Sequence, residues 1–71
     1  MLQPLTHGLI AFQITGQQLP LQVCHSAAGF YIGTLNEDGW PLSRESEEYF
    51  TTSNTASTAL NNGTWTQRPQ P

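Results

Sequence analysis

The chain has no lysine, one cysteine (Cys24), one methionine and no long apolar run. Two arginines are set against five carboxylates, for a net charge of −3 over 71 residues. A phosphate backbone is gripped by several Lys or Arg side chains that displace its counterions, so direct nucleic-acid binding is not expected. A single cysteine closes no intramolecular disulfide and cannot supply a Cys-rich zinc finger, which fits a reducing compartment. The longest apolar run, Leu9 to Phe12, falls far short of the ~20 residues of a membrane-spanning helix. The N-terminus also lacks the basic start and extended apolar core of a secretory signal. The expectation is a cytoplasmic protein with no membrane partner. A chain of this length makes one domain at most, burying about 60% of its unfolded surface, so its stability should be marginal.

The organising stretch is Gly29 to Phe50, GFYIGTLNEDGWPLSRESEEYF, which holds all five acids, one of the two arginines and most of the aromatic residues. Phe30, Tyr31 and Ile32 form an aromatic and β-branched run between Gly29 and Gly33, a strand signal that Thr34 and Leu35 extend. Side chains alternate along a strand, and the face shared by Phe30 and Ile32 is the expected core face. Asn36-Glu37-Asp38-Gly39 is a turn, since Asp-Gly supplies the positive φ of a tight reversal. Pro41 cannot donate to a ladder and belongs at an edge or a strand start. Glu47 to Phe50 is expected as the second, polar arm of this hairpin.

Around this stretch, residues 1–8 read as a flexible lead-in, 9–68 as a single domain and 69–71 as a tail. Ile10, Phe12 and Ile14 stand at period two and predict a strand over Leu9 to Thr15. Leu19 to His25 is a second alternating run, pushed toward an edge by Pro20, and Ser26 to Gly29 is a hairpin connection. Thr52 or Ser53 is the expected N-cap of a short helix with Ala56, Ala59 and Leu60 on one face, stopped at Asn61-Asn62-Gly63. Thr64 to Arg68 reads as a last strand. Asn62-Gly63-Thr64 matches the glycosylation pattern, but without a secretory signal it reads as a helix stop. The expected fold is α+β: a small antiparallel, meander-like sheet of three to four strands with one short helix packed on one face.

The arrangement Gly-Phe-Tyr-Ile-Gly-Thr, then Asp-Gly, then Pro-x-Ser-Arg-x-Ser-x-Glu-Tyr-Phe, then Ala-x-x-Ala-Leu and Gly-x-Trp resembles small uncharacterised bacterial proteins of plasmids and prophages. The resemblance covers Gly29 to about Arg68. It implies a setting on a mobile element and carries no activity, cofactor or site residue.

Candidate chemistry is sparse. Cys24 and His25 suggest a thiolate-imidazole pair, but neighbours on a strand point to opposite faces and cannot easily meet. Adding His7 gives three metal-ligand types without close pairing or a consistent fourth ligand, so no metal site and no cofactor are expected. Ser43-Arg44-Glu45-Ser46, with Glu47 and Glu48, could form a small polar site around Arg44 or a solvated surface in which Arg44 pairs with Glu45, Glu47 or Glu48. No base or oxyanion hole accompanies either serine, so no catalytic residue is expected. Trp65 and Phe50 suit the core. Trp40, between an acidic turn and a proline, suits an exposed anchor for a protein partner.

The expected function is therefore a non-enzymatic protein-binding or accessory module. Its interface candidates are Tyr31, Glu37, Asp38, Trp40, Arg44, Glu45 and Glu48. The alternatives are a small-ligand binder or enzyme at an oligomer interface, using His25, Arg44 and Glu48, and an acidic mimic of nucleic acid. The apolar Leu9 to Ile14 segment is the candidate contact of a homodimer.

Overall fold

Ile32 and Thr34 are wholly buried at the middle of a three-stranded antiparallel sheet. The computed structural model describes residues 6–70; Met1 to Leu5 of the expected lead-in and Pro71 of the tail lie outside them. In chain order the elements are α1 (Leu9–Thr15), β1 (Gln22–Ser26), β2 (Gly29–Leu35), β3 (Pro41–Arg44) and α2 (Ser53–Asn62). The sheet is open, in the order β1-β2-β3, and the fold is α+β.

The central strand is the aromatic run bounded by glycines. β1 pairs along its whole length with β2, from Gln22 opposite Gly33 to Ser26 opposite Gly29, through a two-residue loop. On the other side Gly33 faces Arg44 and Thr34 faces Ser43, with a bulge between Thr34 and Leu35. β3 begins at Pro41 on a sheet edge, where a residue without an N–H is tolerated. Beyond Arg44 the ladder loses its regular pattern. The N–H groups of Glu45 and Ser46 both donate to Ile32 O, and Phe50 exchanges two hydrogen bonds with Phe30. Glu47 to Phe50 is thus an irregular run back along β2, and the return arm of the hairpin is Pro41–Arg44 instead.

Both helices cover the face that Phe30, Ile32 and Thr34 share. Thr52 caps α2, its side chain accepting from Thr55 N, and Gly63 ends it in the left-handed conformation at φ 68°. Thr64 N then reaches back to Ala59 O, which satisfies one of the helix's last carbonyls. The small Ala56/Ala59 face lets α2 lie close to the sheet, where Leu21, Ile32 and Ala59 pack together with Phe50, Leu60 and Trp65 around them.

Two expected strands take other forms. Leu9 to Thr15 is helical, and the residues that it buries are the adjacent Ile10 and Ala11, which no period-two pattern places on one face. Gly16, at φ 74°, ends this helix by donating its N–H to Phe12 O. Thr64 to Arg68 pairs with the irregular run rather than with the sheet. Glu47 N donates to Thr66 O, Arg68 N donates to Glu45 O, and only Ser46 and Gln67 form a bridge. The domain also starts before Leu9, since Gly8 N donates to Leu19 O and Leu21 N to Thr6 O.

Candidate functional site

Among the described residues the most heavily bonded side chain is Glu45, at 0% exposure. It follows β3 at the point where the ladder breaks, and it turns its carboxylate toward the start of α1. Oε1 accepts from Ile10 N at 2.9 Å and from Gln67 Nε2 at 2.8 Å. Oε2 accepts from Ala11 N at 3.0 Å and from the Ser43 hydroxyl at 2.6 Å. Ser43 has one hydrogen and gives it to Glu45, so Thr34, 2.7 Å away, donates to Ser43.

The helix start explains this arrangement. The first amides of an α-helix lack intrahelical partners, and a Ser, Thr, Asp or Asn at the N-cap usually accepts from the second or third of them. Gly8 is the N-cap here and has no side chain to offer. Glu45 accepts from those two amides across 35 and 34 residues of chain. Gly8 makes room for it, because a Cβ there would stand 2.6 Å from Glu45 Oε2 and 2.6 Å from Thr34 Cγ2.

Burial alone would raise the Glu45 pKa, yet hydrogen bonds from Ser43, Ile10, Gln67 and Ala11 together outweigh it and hold the carboxyl below its ordinary value. The group is ionised at neutral pH and saturated with donors. It acts as a structural fastener, and its burial takes it out of the set of side chains that a partner could reach.

On the opposite face of β2 the Tyr31 ring lies across Gly33, where a Cβ would come within 2.9 Å of a ring atom. Tyr31 is buried as well, its ring meeting Tyr49 edge-on at 6.0 Å. Burial chiefly pushes up both the Tyr31 hydroxyl and the neighbouring Cys24 thiol, which keeps the thiol protonated and unreactive at neutral pH. His25 stacks on Phe30 on the other face, ring centroids 4.2 Å apart, so Cys24 and His25 form no dyad. His7 lies opposite Pro20, and among the described residues no three His, Cys, Asp or Glu side chains cluster as metal ligands.

Arg44 takes none of the acids as its partner. Its guanidinium donates to the carbonyl oxygens of Ser46 and Glu47 and lies 4.6 Å from the Tyr49 ring centroid. Glu48 accepts from Thr66 N through both oxygens, and these bonds, working against a burial cost, lower its pKa. The sequence-derived candidates thus divide. Tyr31, Arg44, Glu45 and Glu48 are engaged within the domain, whereas Glu37, Asp38 and Trp40 stand exposed at the hairpin tip.

That tip is held firmly. Asn36 Oδ1 accepts from Asp38 N and Trp40 N, both at 2.9 Å. Asn36 N donates to Trp40 O, and Gly39 at φ 84° donates to Asn36 O. Trp40 is 69% exposed, the most exposed large apolar side chain described. Beside the tip runs a groove of about 280 Å3, walled by Thr15 and Gln17 at the end of α1, by Leu19 and Leu42, and by Asn36, Glu37 and Asp38 of the turn.

Comparisons with protein-family models, with curated proteins and with solved structures find no match to this chain. Among the described residues no helix is long and apolar enough to cross a membrane.

Sequence reasoning found the exposed Trp40 and the acidic turn but missed the role of Glu45. The signal for it was an uncapped glycine ahead of an apolar run, which points to a remote acceptor only once that run is read as a helix.

Glu45→Gln replaces a charge-assisted acceptor by an amide and should destabilise the domain by about 2–3 kcal/mol, measured by urea unfolding. The pH dependence has a defined sign. A carboxyl whose folded pKa is depressed stabilises fully above its unfolded value, ordinarily 4.5, and that stabilisation is lost as pH falls through the lower folded value. The parent should therefore weaken below about pH 4.5 more steeply than Glu45→Gln; identical acid profiles would contradict this role. Gly8→Ala should cost about 1–3 kcal/mol despite an ordinary backbone angle, because it crowds the carboxylate.

Proposed function

We propose that this protein is a non-enzymatic protein-binding module whose contact surface is the β2–β3 hairpin tip. The observation that carries the reading is Trp40, a large aromatic side chain at 69% exposure on a turn fixed by Asn36. Aromatic anchors dominate the energy of many interfaces, and an anchor on a rigid support loses little entropy on binding. Catalysis has less in its favour. The buried carboxylate is saturated, the thiol is protonated, and His25, Arg44 and Glu48 each have a partner inside the domain. The acidic-mimic reading is weakened because Glu45 and Glu48 turn their charge inward. The resemblance to plasmid and prophage proteins would make the module an accessory factor of a bacterial mobile element.

Tagged parent protein and Trp40→Ala, incubated with host lysate, should differ in one or more captured proteins while sharing the same melting temperature. An interface hot spot of about 2 kcal/mol corresponds to roughly thirtyfold weaker binding, enough to lose a captured band. Equal capture by both proteins would sink the assignment of the surface to the hairpin tip.

One observation favours self-association as a second reading. Leu9, Phe12 and Ile14 of α1 are 39%, 45% and 54% exposed, and no charged residue precedes Glu37 in the chain. Two copies could therefore bring these helices together without desolvating a charge on α1 itself. Light scattering at about 100 μM, a concentration that populates micromolar dimers, should then show a dimer for the parent and a monomer for Phe12→Glu. A monomeric parent would contradict this reading and leave the first untouched.

A further inference from the structure

We infer that the groove between the C-terminal end of α1 and the β2–β3 turn seats an extended segment of a partner protein that carries a lysine or arginine next to apolar residues. This rests on the protein-binding reading and specifies the partner's chemistry.

Three observations converge on it. The groove, about 280 Å3, lies at the small end of the ~300–1,000 Å3 range of ligand sites and has room for one or two side chains of a partner. Leu19 and Leu42 give it apolar lining, while Glu37 and Asp38 give it an acidic wall.

Among the described residues these two carboxylates also have no cation paired with them. Arg44 is committed to Ser46 O, Glu47 O and the Tyr49 ring, and Arg68 donates to Arg44 O. Glu45 and Glu48 spend their charge on backbone amides. Negative charge is therefore left uncompensated at the groove, and an ammonium or guanidinium is its natural complement.

The wall is also built in advance. The hydrogen bonds from Asp38 N and Trp40 N to Asn36 Oδ1 fix the backbone that carries both acids, so a partner need not order it. Trp40, on the same turn but outside the groove's lining, is an exposed ring of the kind that attracts cations. A metal ion is a poorer fit, because two neighbouring turn carboxylates have no third ligand among the described residues.

The test is selection from a phage-displayed random decapeptide library on the immobilised parent protein. Enriched sequences are remade as labelled peptides and measured by fluorescence anisotropy. The expected result is enrichment of peptides with Lys or Arg flanked by apolar residues. Their affinity should fall about tenfold in Glu37→Gln/Asp38→Asn, and several-fold between about 50 and about 300 mM salt. Glu47→Gln, which alters an exposed acid outside the groove, should change nothing. Both substitutions in the double variant are at exposed turn positions, and matching melting temperatures would show that its fold is intact. Enriched peptides without a basic residue, or peptides indifferent to the double variant, would overturn the inference. If such peptides still require Trp40, the protein-binding reading survives its failure. An empty selection also overturns it, and the broader reading then stands or falls on Trp40-dependent capture.

Discussion

A buried carboxylate with no cation against it is among the costliest groups that a small domain can hold. Glu45 is tolerable because four donors from separate parts of the chain converge on its two oxygens: the amides of Ile10 and Ala11, the hydroxyl of Ser43 and the amide side chain of Gln67. The same bonds make the fold possible. α1 has seven residues, well below the ~12–15 at which an isolated helix becomes even marginal, and its glycine N-cap offers its amides nothing. Charge near a helix start is favourable, and here it is supplied by the segment that follows the last strand. One side chain thereby ties the first helix, the sheet edge and the C-terminal segment into a single unit.

This arrangement also determines what remains for function. Five acids suggest an acidic surface, yet Glu45 and Glu48 are consumed by backbone amides and Arg44 by carbonyls and a ring. The face of the sheet that carries Cys24 of β1 and Tyr31 of β2 is covered by Tyr49, with Arg44 over the Tyr49 ring. The engaged groups cluster on the sheet and its irregular continuation. Apart from Glu47 and the exposed apolar residues of α1, the exposed polar and aromatic groups with no internal partner include Glu37, Asp38 and Trp40, which project from a turn locked by Asn36. The bonded groups that hold the fold and the exposed groups of the turn thus occupy different ends of the same hairpin.

The parts legible in the sequence are those whose causes are local. The aromatic run between two glycines is β2, Asp38-Gly39 is the reversal, Pro41 opens an edge strand, and Thr52 and Gly63 bound α2 with Ala56 and Ala59 inward. Each follows from the conformational preference of the residue or from a bond to a near neighbour. The misread parts depend on distant partners. Ile10, Phe12 and Ile14 alternate as a strand would, but the acceptor that makes the segment helical is 35 residues away. Thr64 to Arg68 looks like a strand, yet it forms a single bridge, Ser46 to Gln67, and its partners are Glu45 to Glu48 rather than a strand. Glu45 itself is hidden in sequence by Glu47 and Glu48, which make the cluster look solvated. Its position two residues after Ser43 is what places it inward.

The claim that Glu45 fastens α1 to the domain is tested most directly by hydrogen exchange, read amide by amide by NMR at neutral pH. In the parent protein Ile10 and Ala11 should exchange nearly as slowly as Ile32 in the central strand. In Glu45→Gln the Ile10 and Ala11 amides should lose that protection first and by the largest factor, with the β1–β2 ladder still protected. Fast exchange at Ile10 and Ala11 in the parent, or unchanged protection there in Glu45→Gln, would show that something other than this carboxylate holds the helix.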